Sequence, residues 1–490
     1  MPHRLVALAE LAHGRLDGPD VSVTGITAHS RQVRAGDVFA AVPGQSGHGV
    51  RFASEALSAG AIGVLTDQVG VAALSEHVPV VVVDDVRRRL GPVSAAVYGR
   101  PSSALLVLGV TGTSGKTTTT YLMRAGLRAA GITTGLIGTV GTLVDDDALY
   151  GGLTTPEAPD LQALLAVMVE RQASAVAMEV SSHALALHRV DDIDFAVGAF
   201  TNLSQDHLDF HVDMPDYFEA KARLFDGRSR RAVIVTDDDW GARLADVHPA
   251  AVTINTTGRR ATWQPADVRM EPDGQITFRA CGPGVDVWTG CAIPGQFNVA
   301  NALLALAILH LIDVPAELAA PAIATASVPG RMERIAAGQP YLAVVDYSHK
   351  PAALAGALHA LRPLTRARLI IVVGCGGDRD RAKRPVMGEV AARHADLVIV
   401  TDDNPRTEDP ATIRAQILSG ARAVPGNERG AVAEIGDRAA AIAAAVEAAA
   451  DGDTVLVAGK GHETGQEIAG VVYPFDDRAV LRTAIMERSG

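Results

Sequence analysis

The sequence predicts an α/β fold, because strand-like and helical patterns alternate along most of its 490 residues. Two observations support this class. One apolar run, residues 105–110, leads through a glycine-containing loop into a helical pattern. Further along the chain, apolar strands end in polar clusters, and helices separate them. Ligands of open parallel sheets bind beyond the carboxyl ends of the strands, so these clusters mark the expected sites of chemistry.

Residues 1–101 are predicted to form a small N-terminal α/β domain. The segments DVSVTGI, DVFAAVPG, AIGVLTD and VPVVVVDD are strand-like, and VRFASEALSAG is helical. A glycine-rich loop at 43–49 either closes on phosphates through backbone amides or is a tight connection. The three arginines at 87–89 indicate a solvated helix face.

The loop TGTSGKTT, residues 111–118, predicts a polyphosphate site. It follows the apolar strand and precedes a helix, so backbone N–H groups and the helix N-terminus face an anion. Lys116 neutralises that anion, and the Thr117 hydroxyl can hold Mg²⁺. Val110 stands where the strict Walker pattern has glycine, so the match is to the shorter GxxGKT. The alternative is a chance Gly-Lys-Thr turn, which the flanking strand and helix disfavour.

The alternation continues beyond the loop. SAVAMEV is a buried strand that ends in Glu179, and Asp213 and Pro215 cap and begin the helix that carries Lys221. VRMEPDGQITFRA predicts a hairpin that turns at 273–274, and GQFNVANALLALAILHL predicts a long helix.

The last part of the chain repeats the strand-helix pattern. LAVVDYS, LIIVVGCGGD, LVIVTDDNP and TVLVAGKGHE are apolar strands that each end in polar residues. This pattern predicts another α/β domain, 332–490. The joints between domains are short and lie near 99–103 and 329–331.

Composition excludes several classes of protein. The net charge of −12 argues against non-specific nucleic-acid binding and against an anionic membrane surface. No run approaches the length of a membrane span, and the N-terminus does not resemble a signal peptide. Three cysteines without a CxxC pair suggest neither a disulfide framework nor a zinc site. A cytoplasmic protein without nucleic-acid partners or membrane insertion is expected.

Lysine is scarce in this chain. Of 44 basic residues only five are lysines, and each lies in or beside a motif. Lysine and arginine are not interchangeable, so a retained lysine can mark a site that needs a compact ammonium or a free amine. Chance placement is the alternative. The lysines are Lys116, Lys221, Lys350, Lys383 and Lys460.

A cation site is predicted beside the phosphate loop. Thr117, Glu179 and His207 each follow a strand of one predicted sheet. Oxygen ligands suit Mg²⁺, whereas histidine is a less usual ligand for it. Taken singly, Glu179 is more often a cap or a solvated residue and His207 a structural one. The three together favour a metal site.

The motifs carry a family resemblance that covers nearly the whole chain. The chain resembles the Mur ligases of peptidoglycan synthesis. This resemblance implies that 1–101 binds a UDP-sugar, that 102–331 is a central P-loop ATPase with a mostly parallel sheet, and that 332–490 is a Rossmann-like domain for an amino acid. A monomer is expected. The motifs are TGTSGKTT, TTPEA, MEVSSHAL, FTNLSQDHLDFH, GQFNVANALLA, VPGRME, VDYSHKP, GCGGDRDRAKRP, TDDNPR and AGKGHE.

The resemblance implies an ATP-dependent amide ligase. ATP phosphorylates a substrate carboxylate, and an amine then displaces phosphate from the acyl phosphate, which needs positioning and charge neutralisation above all. Lys116, Lys221 and His207 are the implied catalytic residues. Glu179 and His207 are implied to hold Mg²⁺, and Lys221, carbamylated by CO₂, a second Mg²⁺.

The resemblance also implies two sets of binding residues. For ATP these are Gly112, Thr113, Ser114, Gly115, Lys116, Thr117, Thr118, Asn298, Asn301, Arg331, Asp346 and His349. For the UDP-sugar peptide they are Ser30, Gly44, Gln45, Thr154, Thr155, Ser181 and Arg189. His29 and Leu187 depart from the family, which often has aspartate and glutamine there.

The TDDNPR motif predicts which amino acid is added. Pro405 stiffens the position of Arg406, whose planar guanidinium matches a carboxylate. Meso-diaminopimelate carries a second carboxylate that lysine lacks, so it is the expected substrate. The resemblance implies that it is joined to the D-glutamate of UDP-N-acetylmuramoyl-L-alanyl-D-glutamate. An ordinary loop charge is the alternative for Arg406. The implied amino-acid site comprises Arg379, Asp403, Asn404, Pro405, Arg406, Gly459 and Glu463.

Two other functions compete with this hypothesis. One is a related amide ligase, such as a folylpolyglutamate synthase or a Mur ligase that adds alanine or D-glutamate. TTPEA, MEVSSH and DNPR argue against it. The other is a P-loop switch or transport ATPase, which three separate substrate-like clusters disfavour.

Overall fold

The structure is a computed structural model that describes residues 3–44, 47–75, 77–149, 152–271 and 274–489. The chain forms two compact units, Met1–Gln264 with Leu303–Ala319, and Pro265–Ala302 with Ala320–Gly490. Gln45 of the predicted sugar site and Asp273 of the predicted turn lie outside the described residues. Within the described ranges, no helix has the length and apolar character needed to cross a membrane.

The first unit begins with the predicted small α/β domain. The helices are α1 Leu5–Leu11, α2 Ala53–Ser58, α3 Gln68–Ala73 and α4 Val86–Val97. The strands are β1 His3–Arg4, β2 Arg15–Asp17, β3 Ser22–Val23, β4 Gly25–Thr27, β5 Asp37–Ala40, β6 Pro43–Gly44, β7 Gly47–His48, β8 Gly63–Thr66 and β9 Val80–Val82.

The sheet of this domain has the order β2-β9-β8-β5-β4. Strands β4, β5, β8 and β9 are parallel, and β2 is antiparallel at the edge. Leu5, Leu65, Val81 and Leu90 pack together in its core. The predicted strand DVSVTGI is split into β3 and β4.

The rest of the first unit is the region of the phosphate loop. The strands are β10 Leu106–Thr111, β11 Thr134–Gly138, β12 Gly141–Val144, β13 Asp147–Ala148, β14 Ala175–Glu179, β15 Phe195–Phe200, β16 Ala232–Val235 and β17 Val252–Ile254. The helices are α5 Lys116–Ala129, α6 Ala158–Glu170, α7 Ser182–Ala186, α8 Met214–Ala222 and α9 Asp239–Val247.

The sheet of this region places β10 between β14 and β15, and all three strands are parallel. Their carboxyl ends therefore meet at one edge of the sheet, as the sequence predicts for Thr117, Glu179 and His207. The full order is β13-β12-β11-β14-β10-β15-β16-β17. The antiparallel pairing of β11, β12 and β13 was not predicted.

Helix α8 begins as the sequence predicts. The Asp213 carboxylate caps it by accepting the backbone N–H of Asp216 at 2.8 Å, and Pro215 lies in the first turn. Proline suits this position because the first turn of a helix does not need its N–H. The cap fixes where the helix begins, and so fixes the position of Lys221 near its end.

The second unit opens with an antiparallel sheet of order β18-β19-β20. The sequence predicts its first hairpin, whereas β20 was missed. The elements are β18 Gln264–Met270, β19 Ile276–Gly282 and β20 Val285–Cys291. The predicted long helix is α10 Phe297–Leu311, and α11 Ala316–Thr325 follows it. Residues 303–319 of this stretch belong to the first unit.

The C-terminal sheet has the order β21-β22-β26-β23-β24-β25, in which β21 alone of the described strands is antiparallel. The predicted strands are β22, β23, β24 and β26. The strands are β21 Glu333–Arg334, β22 Leu342–Asp346, β23 Leu369–Val373, β24 Leu397–Val400, β25 Ala431–Glu434, β26 Thr454–Ala458, β27 Gly465–Ile468 and β28 Val471–Pro474. The helices are α12 Pro351–Leu361, α13 Lys383–His394, α14 Pro410–Ala423, α15 Arg438–Ala448 and α16 Asp477–Ser489.

Candidate active site

The phosphate loop turns sharply at two glycines. Gly112 has φ of 142° and Gly115 has φ of 85°, and L side chains rarely adopt either conformation. At Gly112 a side chain would also collide with the Thr201 hydroxyl and the backbone of Asn202. Glycine is therefore required for the loop to lie against the end of β15.

Asn202 holds the loop in this conformation. Its side-chain oxygen accepts the Ser114 N–H at 3.0 Å, and its side-chain nitrogen donates to the Ser114 carbonyl at 3.1 Å. Its backbone carbonyl accepts the Thr113 N–H at 2.9 Å. The Asn202 side chain thus pairs with both the N–H and the carbonyl of Ser114, as the backbone of a neighbouring strand would. Asn202 was not among the predicted site residues.

Two lysine ammonium groups bind the same carbonyl oxygen of this loop. Lys116 Nζ donates to the Gly112 carbonyl at 2.8 Å and to the Thr113 carbonyl at 3.0 Å. Lys221 Nζ reaches the Gly112 carbonyl from helix α8 at 2.8 Å. The Lys221 residue is 1% exposed, and its Nζ lies 4.4 Å from the centre of the Tyr217 ring. Positive charge is thus placed beside the predicted phosphate position.

Glu179 ends strand β14 beside the start of helix α5. Its carboxylate accepts the Thr117 hydroxyl at 2.9 Å, the Thr139 N–H at 2.9 Å and the Thr139 hydroxyl at 3.1 Å. The residue is 1% exposed. A carboxylate and a hydroxyl side by side are oxygen donors of the kind that Mg²⁺ prefers, so these residues fit a magnesium ion. Thr139 was missed because no motif contains it.

His207 lies in the loop after β15. Its φ is 53°, and its Nε2 lies 3.2 Å from a carboxylate oxygen of Asp206. Its ring centre is 4.8 Å from that of His183. Among the described residues, no group of three or more His, Cys, Asp or Glu side chains has the spacing of a metal site. The metal role of His207 stays a prediction.

A buried histidine ties the His207 loop to helix α7. The nitrogens of His211 lie 3.1 Å from the Asp216 carboxylate and 3.0 Å from the Ser182 hydroxyl, and the residue is 2% exposed. This contact was not predicted, although His211 is the second histidine of LSQDHLDFH. The hydrogen-bonded side chains of Asp216, His211 and Ser182 fix the end of the loop that contains His207.

Four residues of the predicted sugar-peptide site lie together beside Glu179. The Thr155 hydroxyl donates to the Glu179 carbonyl at 2.8 Å and accepts the Ser181 N–H at 3.1 Å. The Thr154 hydroxyl lies 3.0 Å from that of Thr139, and Arg189 donates to the Thr155 carbonyl at 3.2 Å. The structure therefore brings Thr154, Thr155, Ser181 and Arg189 to one place.

Glu157 connects this group to the N-terminal domain. Its carboxylate lies 2.8 Å from the Arg189 guanidinium and 3.9 Å from that of Arg87. Arg87 also donates to the Pro43 carbonyl at 3.3 Å. The prediction of a solvated face is wrong for Arg87, whose side chain is 25% exposed. Position 43 precedes Gly44, so a predicted sugar-binding residue lies close to this cluster.

Ser30, also predicted to bind the sugar peptide, lies elsewhere in the N-terminal domain. Its hydroxyl donates to the Glu55 carboxylate of helix α2 at 2.7 Å. The neighbouring residue is His29, where the family often has aspartate. Its Nε2 lies 3.8 Å from the Asp160 carboxylate of helix α6.

In the second unit, predicted ATP residues surround Tyr347. The Arg331 guanidinium lies 4.6 Å from the centre of this ring, and the His349 ring centre lies 4.5 Å from it. Asp346 accepts the Met332 N–H at 2.7 Å. Burial lowers the pKa of His349 to about 3, so its imidazole is neutral. The Tyr347 ring was missed as a member of this group.

Asn298 and Asn301, the other predicted ATP residues, lie at the start of helix α10. The Asn298 side chain donates to the Ile293 carbonyl at 3.2 Å and the Pro294 carbonyl at 3.0 Å. Asn301 donates to the Asn298 side-chain oxygen at 2.9 Å. These bonds hold the entry to the helix, and contact with ATP stays a prediction.

The two predicted arginines of the amino-acid site flank one glycine. A side chain at Gly376 would lie 2.9 Å from Arg406 Nη1 and 3.9 Å from Arg379 Cγ. Arg406 has φ of 53°, donates to the Gly377 carbonyl at 2.7 Å and lies 3.3 Å from the Glu467 carboxylate. Gly376 therefore lies against the Arg406 guanidinium and the aliphatic part of the Arg379 side chain.

The remaining predicted residues join the same edge of the C-terminal sheet. Asn404 donates to the Glu463 carboxylate at 2.8 Å. A side chain at Gly459 would lie 2.5 Å from the Asp403 carboxylate, so these two residues are in contact. The TDDNPR and AGKGHE motifs are therefore adjacent, as the resemblance implies.

Two buried arginines that were not predicted brace these loops. Arg384 donates to the Glu408 carboxylate at 3.1 and 2.9 Å, and to the Gly376 carbonyl at 3.2 Å. Arg438 donates to the Asp477 carboxylate at 2.8 and 2.7 Å, and both of these side chains are fully buried. Arg438 also donates to the Ala458 carbonyl at 3.1 Å, at the end of β26.

Three family models match the chain. They are the catalytic domain of the Mur ligase family over residues 22–98, the Mur ligase middle domain over 110–309, and the glutamate ligase domain of Mur ligases over 330–461. The chain belongs to the Mur ligase family. The resemblance seen in the motifs is thus confirmed.

Relatives of this Mur ligase extend over its full length. It is 52% identical to the UDP-N-acetylmuramoyl-L-alanyl-D-glutamate--2,6-diaminopimelate ligase of Streptomyces avermitilis, over 99% of this chain and 97% of the relative. It is 43% identical to the UDP-N-acetylmuramyl-tripeptide synthetase of Leifsonia xyli subsp. xyli, over 99% of this chain and 95% of that one.

Solved structures agree with this assignment. A UDP-N-acetylmuramoyl-L-alanyl-D-glutamate--2,6-diaminopimelate ligase superposes with a TM-score of 0.68 at 33% identity, covering 96% of each chain. A folylpolyglutamate synthase of Mycobacterium tuberculosis superposes with a TM-score of 0.62 at 17% identity, over 75% of this chain and 91% of that one. This likeness shows that the two proteins share a fold.

Proposed function

We propose that this Mur ligase uses ATP to join meso-diaminopimelate to the D-glutamate of UDP-N-acetylmuramoyl-L-alanyl-D-glutamate, in peptidoglycan precursor synthesis. The full-length relatives named for this ligation support the proposal. The observation that carries it is that Arg406 and Arg379 both lie beside Gly376, next to the backbone of Asn404, whose side chain is paired with Glu463. Together they offer partners for both a carboxylate and an ammonium group, as the distal end of diaminopimelate requires.

Each domain has its own proposed role. Residues 1–101 bind the UDP-sugar, 102–331 carry the phosphate-transfer site, and 332–490 bind the amino acid. Ser30, Gly44 and Gln45 serve the nucleotide-sugar end. Thr154, Thr155, Ser181 and Arg189 serve the peptide end, and their contacts with one another beside Glu179 support this role.

The phosphate loop receives ATP. The Gly112–Gly115 backbone cradles the phosphates, Thr117 and Thr118 lie at the start of helix α5, and Lys116 leaves its carbonyl partners to neutralise the developing charge. In the second unit, Arg331, Asp346, His349, Asn298 and Asn301 meet the base and ribose. The neutral imidazole of His349 suits contact with an uncharged part of the nucleotide.

Thr117, Glu179 and His207 would hold Mg²⁺, which neutralises phosphate charge when it is bound. The pairing of the Thr117 hydroxyl with the buried Glu179 carboxylate supports this ligand set. Lys221 would hold a second ion after CO₂ adds to its amine as a carbamate. Its position supports that role, because its Nζ reaches the Gly112 carbonyl of the phosphate loop at 2.8 Å.

The reaction proceeds in two displacements. An oxygen of the D-glutamate side-chain carboxylate attacks the γ-phosphorus of ATP, so ADP leaves and an acyl phosphate forms. The amine of diaminopimelate then attacks the acyl carbon, phosphate leaves, and the nitrogen loses a proton. The arginines of the amino-acid site hold the distal carboxylate away from the reacting amine.

Phosphate release tests the proposal. We expect steady release from ATP only when UDP-N-acetylmuramoyl-L-alanyl-D-glutamate and meso-diaminopimelate are both present. Omission of either substrate serves as the control. Equal turnover without the amino acid would contradict a ligase, and turnover with D-glutamate or L-alanine in its place would indicate a different Mur reaction.

A further inference from the structure

Lys460 is a buried lysine between two residues of the proposed amino-acid site. Its side chain is fully buried, and its Nζ donates to Asn404 Oδ1 and Glu463 Oε2, each at 2.9 Å. A buried ammonium is costly unless it is paired and hydrogen-bonded, so this group must have a structural or functional reason. Lysine is also rare in this chain, which uses arginine for most of its positive charges.

The contacts of Lys460 determine the orientation of the Asn404 amide. Asn404 Oδ1 accepts two bonds, from Lys460 Nζ and from the Glu467 N–H at 3.0 Å. Both partners are donors only, so a flipped amide would place its NH₂ against two donors. The Asn404 NH₂ is therefore held toward Glu463, to which it donates at 2.8 Å.

Lys460 and Asn404 also orient the Glu463 carboxylate. Both donors bind the same oxygen, Oε2, and the Glu463 side chain is 32% exposed. The carboxylate can then present Oε1 to a ligand cation while Oε2 stays anchored.

We propose that Lys460 is a positioning residue that selects the distal ammonium of diaminopimelate through Glu463 and Asn404. This inference rests on the proposed function. Glu463 receives the ammonium, Arg406 receives the neighbouring carboxylate, and Lys460 keeps Glu463 anchored for the pair. Lys460 itself does not touch the substrate.

The two bonds of Lys460 explain why lysine is used at this position, because one compact ammonium donates to both Asn404 Oδ1 and Glu463 Oε2. Gly459 and Gly461 flank it with φ of 119° and 56°. A side chain at Gly461 would lie 2.7 Å from the Gly330 carbonyl and 2.7 Å from Tyr347 Cβ, so the surrounding backbone is tightly packed. A planar guanidinium needs more room than an ammonium and cannot bind Oδ1 and Oε2 in the same way.

A double-mutant cycle tests the proposal with Lys460→Met, Glu463→Gln and the double variant in the full chain. We expect each single variant to raise the KM for meso-diaminopimelate by about 30-fold or more, with the KM for ATP within about threefold of wild type. Because Lys460 acts through Glu463, the double variant should bind diaminopimelate about as well as Glu463→Gln alone. Additive losses, or an unchanged KM in Lys460→Met, would overturn the proposal.

Two controls separate this inference from other failures. Arg366→Met removes a positive charge that is 75% exposed in the same unit, and its KM for diaminopimelate should not change. Lys460→Arg should not restore binding, and a wild-type KM in that variant would overturn the requirement for an ammonium. If wild type releases no phosphate in response to diaminopimelate, the proposed function fails before Lys460 is tested.

Discussion

The phosphate loop and the amino-acid cluster are built in different ways. In the loop, backbone groups determine the conformation. Two glycines make the turns, and Lys116 and Lys221 donate to the Gly112 carbonyl. In the amino-acid cluster, buried cations hold carboxylates from distant segments, as Arg438 does with Asp477. Substitutions in the loop should therefore affect turnover, whereas substitutions in the cluster should also affect the stability of the scaffold.

The largest effect is expected at Lys116. We expect Lys116→Ala to lower kcat for phosphate release by about 10³-fold or more, because the cation that neutralises the transferred phosphate is lost. Glu179→Ala should be similarly inactive. The circular-dichroism spectrum and thermal midpoint should stay close to wild type for Lys116→Ala. Normal ATP turnover in either variant would refute the assigned nucleotide and magnesium roles.

Variants of Lys221 test whether this lysine is needed for its amine, which can form a carbamate, or only for its positive charge. We expect Lys221→Arg and Lys221→Ala to lower kcat by about 10²-fold or more, since neither can form a carbamate. A short-chain carboxylic acid should partly rescue Lys221→Ala by supplying the missing anion. The control is Arg230→Ala, a cation with a 66% exposed side chain in the same unit. Full activity in Lys221→Arg would remove the carbamate hypothesis.

Substitution of Arg438 should lower the stability of the protein, whereas substitution of Lys116 should lower its turnover. We expect Arg438→Ala to destabilise the second unit by about 3–5 kcal/mol, because Asp477 would be left as a buried charge without its partner. Thermal unfolding followed by circular dichroism measures this loss. Arg366→Ala, which breaks an exposed pair with Asp451, should change the midpoint little. If both variants unfold like wild type, the ion pair does not brace the scaffold.

A smaller, pH-dependent effect is expected at Glu408. Hydrogen bonds from Arg384 lower the pKa of this carboxyl from 4.5 to about 2. The folded pKa lies below the unfolded one, so this stabilisation is present above about 4.5 and is lost as the pH falls toward 2. The difference in thermal midpoint between wild type and Glu408→Gln should therefore shrink across that range. A difference that does not change with pH would contradict the assignment.

The same contrast explains how much could be predicted from the sequence. TGTSGKTT specifies the loop because strand, turn and helix follow one another. The alternating pattern predicts that the strands before Glu179 and His207 share a sheet with it, whereas the order β14-β10-β15 is known only from the structure. The pairing of Arg438 with Asp477 joins residues 39 positions apart, and no local pattern marks it. Strand β25 was missed because Ala431–Glu434 is partly exposed and lacks a clear apolar run.

The role of Lys460 could be predicted only in part from the sequence. Its rarity as a lysine was visible in the sequence, whereas its contacts with Asn404 and Glu463 depend on how two loops meet at the edge of the sheet. The positive φ of Arg406 shows the same limit. Pro405 predicts a stiff loop there, and only the structure shows that Gly376 lies against both arginine side chains.

The central claim is that the amino-acid site selects diaminopimelate, and competition with lysine tests it most directly. The measurement is kcat/KM for meso-diaminopimelate and for L-lysine, in wild type and in Arg406→Ala. We expect wild type to favour diaminopimelate by about 10²–10³-fold, because lysine lacks the second carboxylate that the arginine would bind. Arg406→Ala should lose most of that preference. Equal use of both amino acids by wild type would contradict the claim.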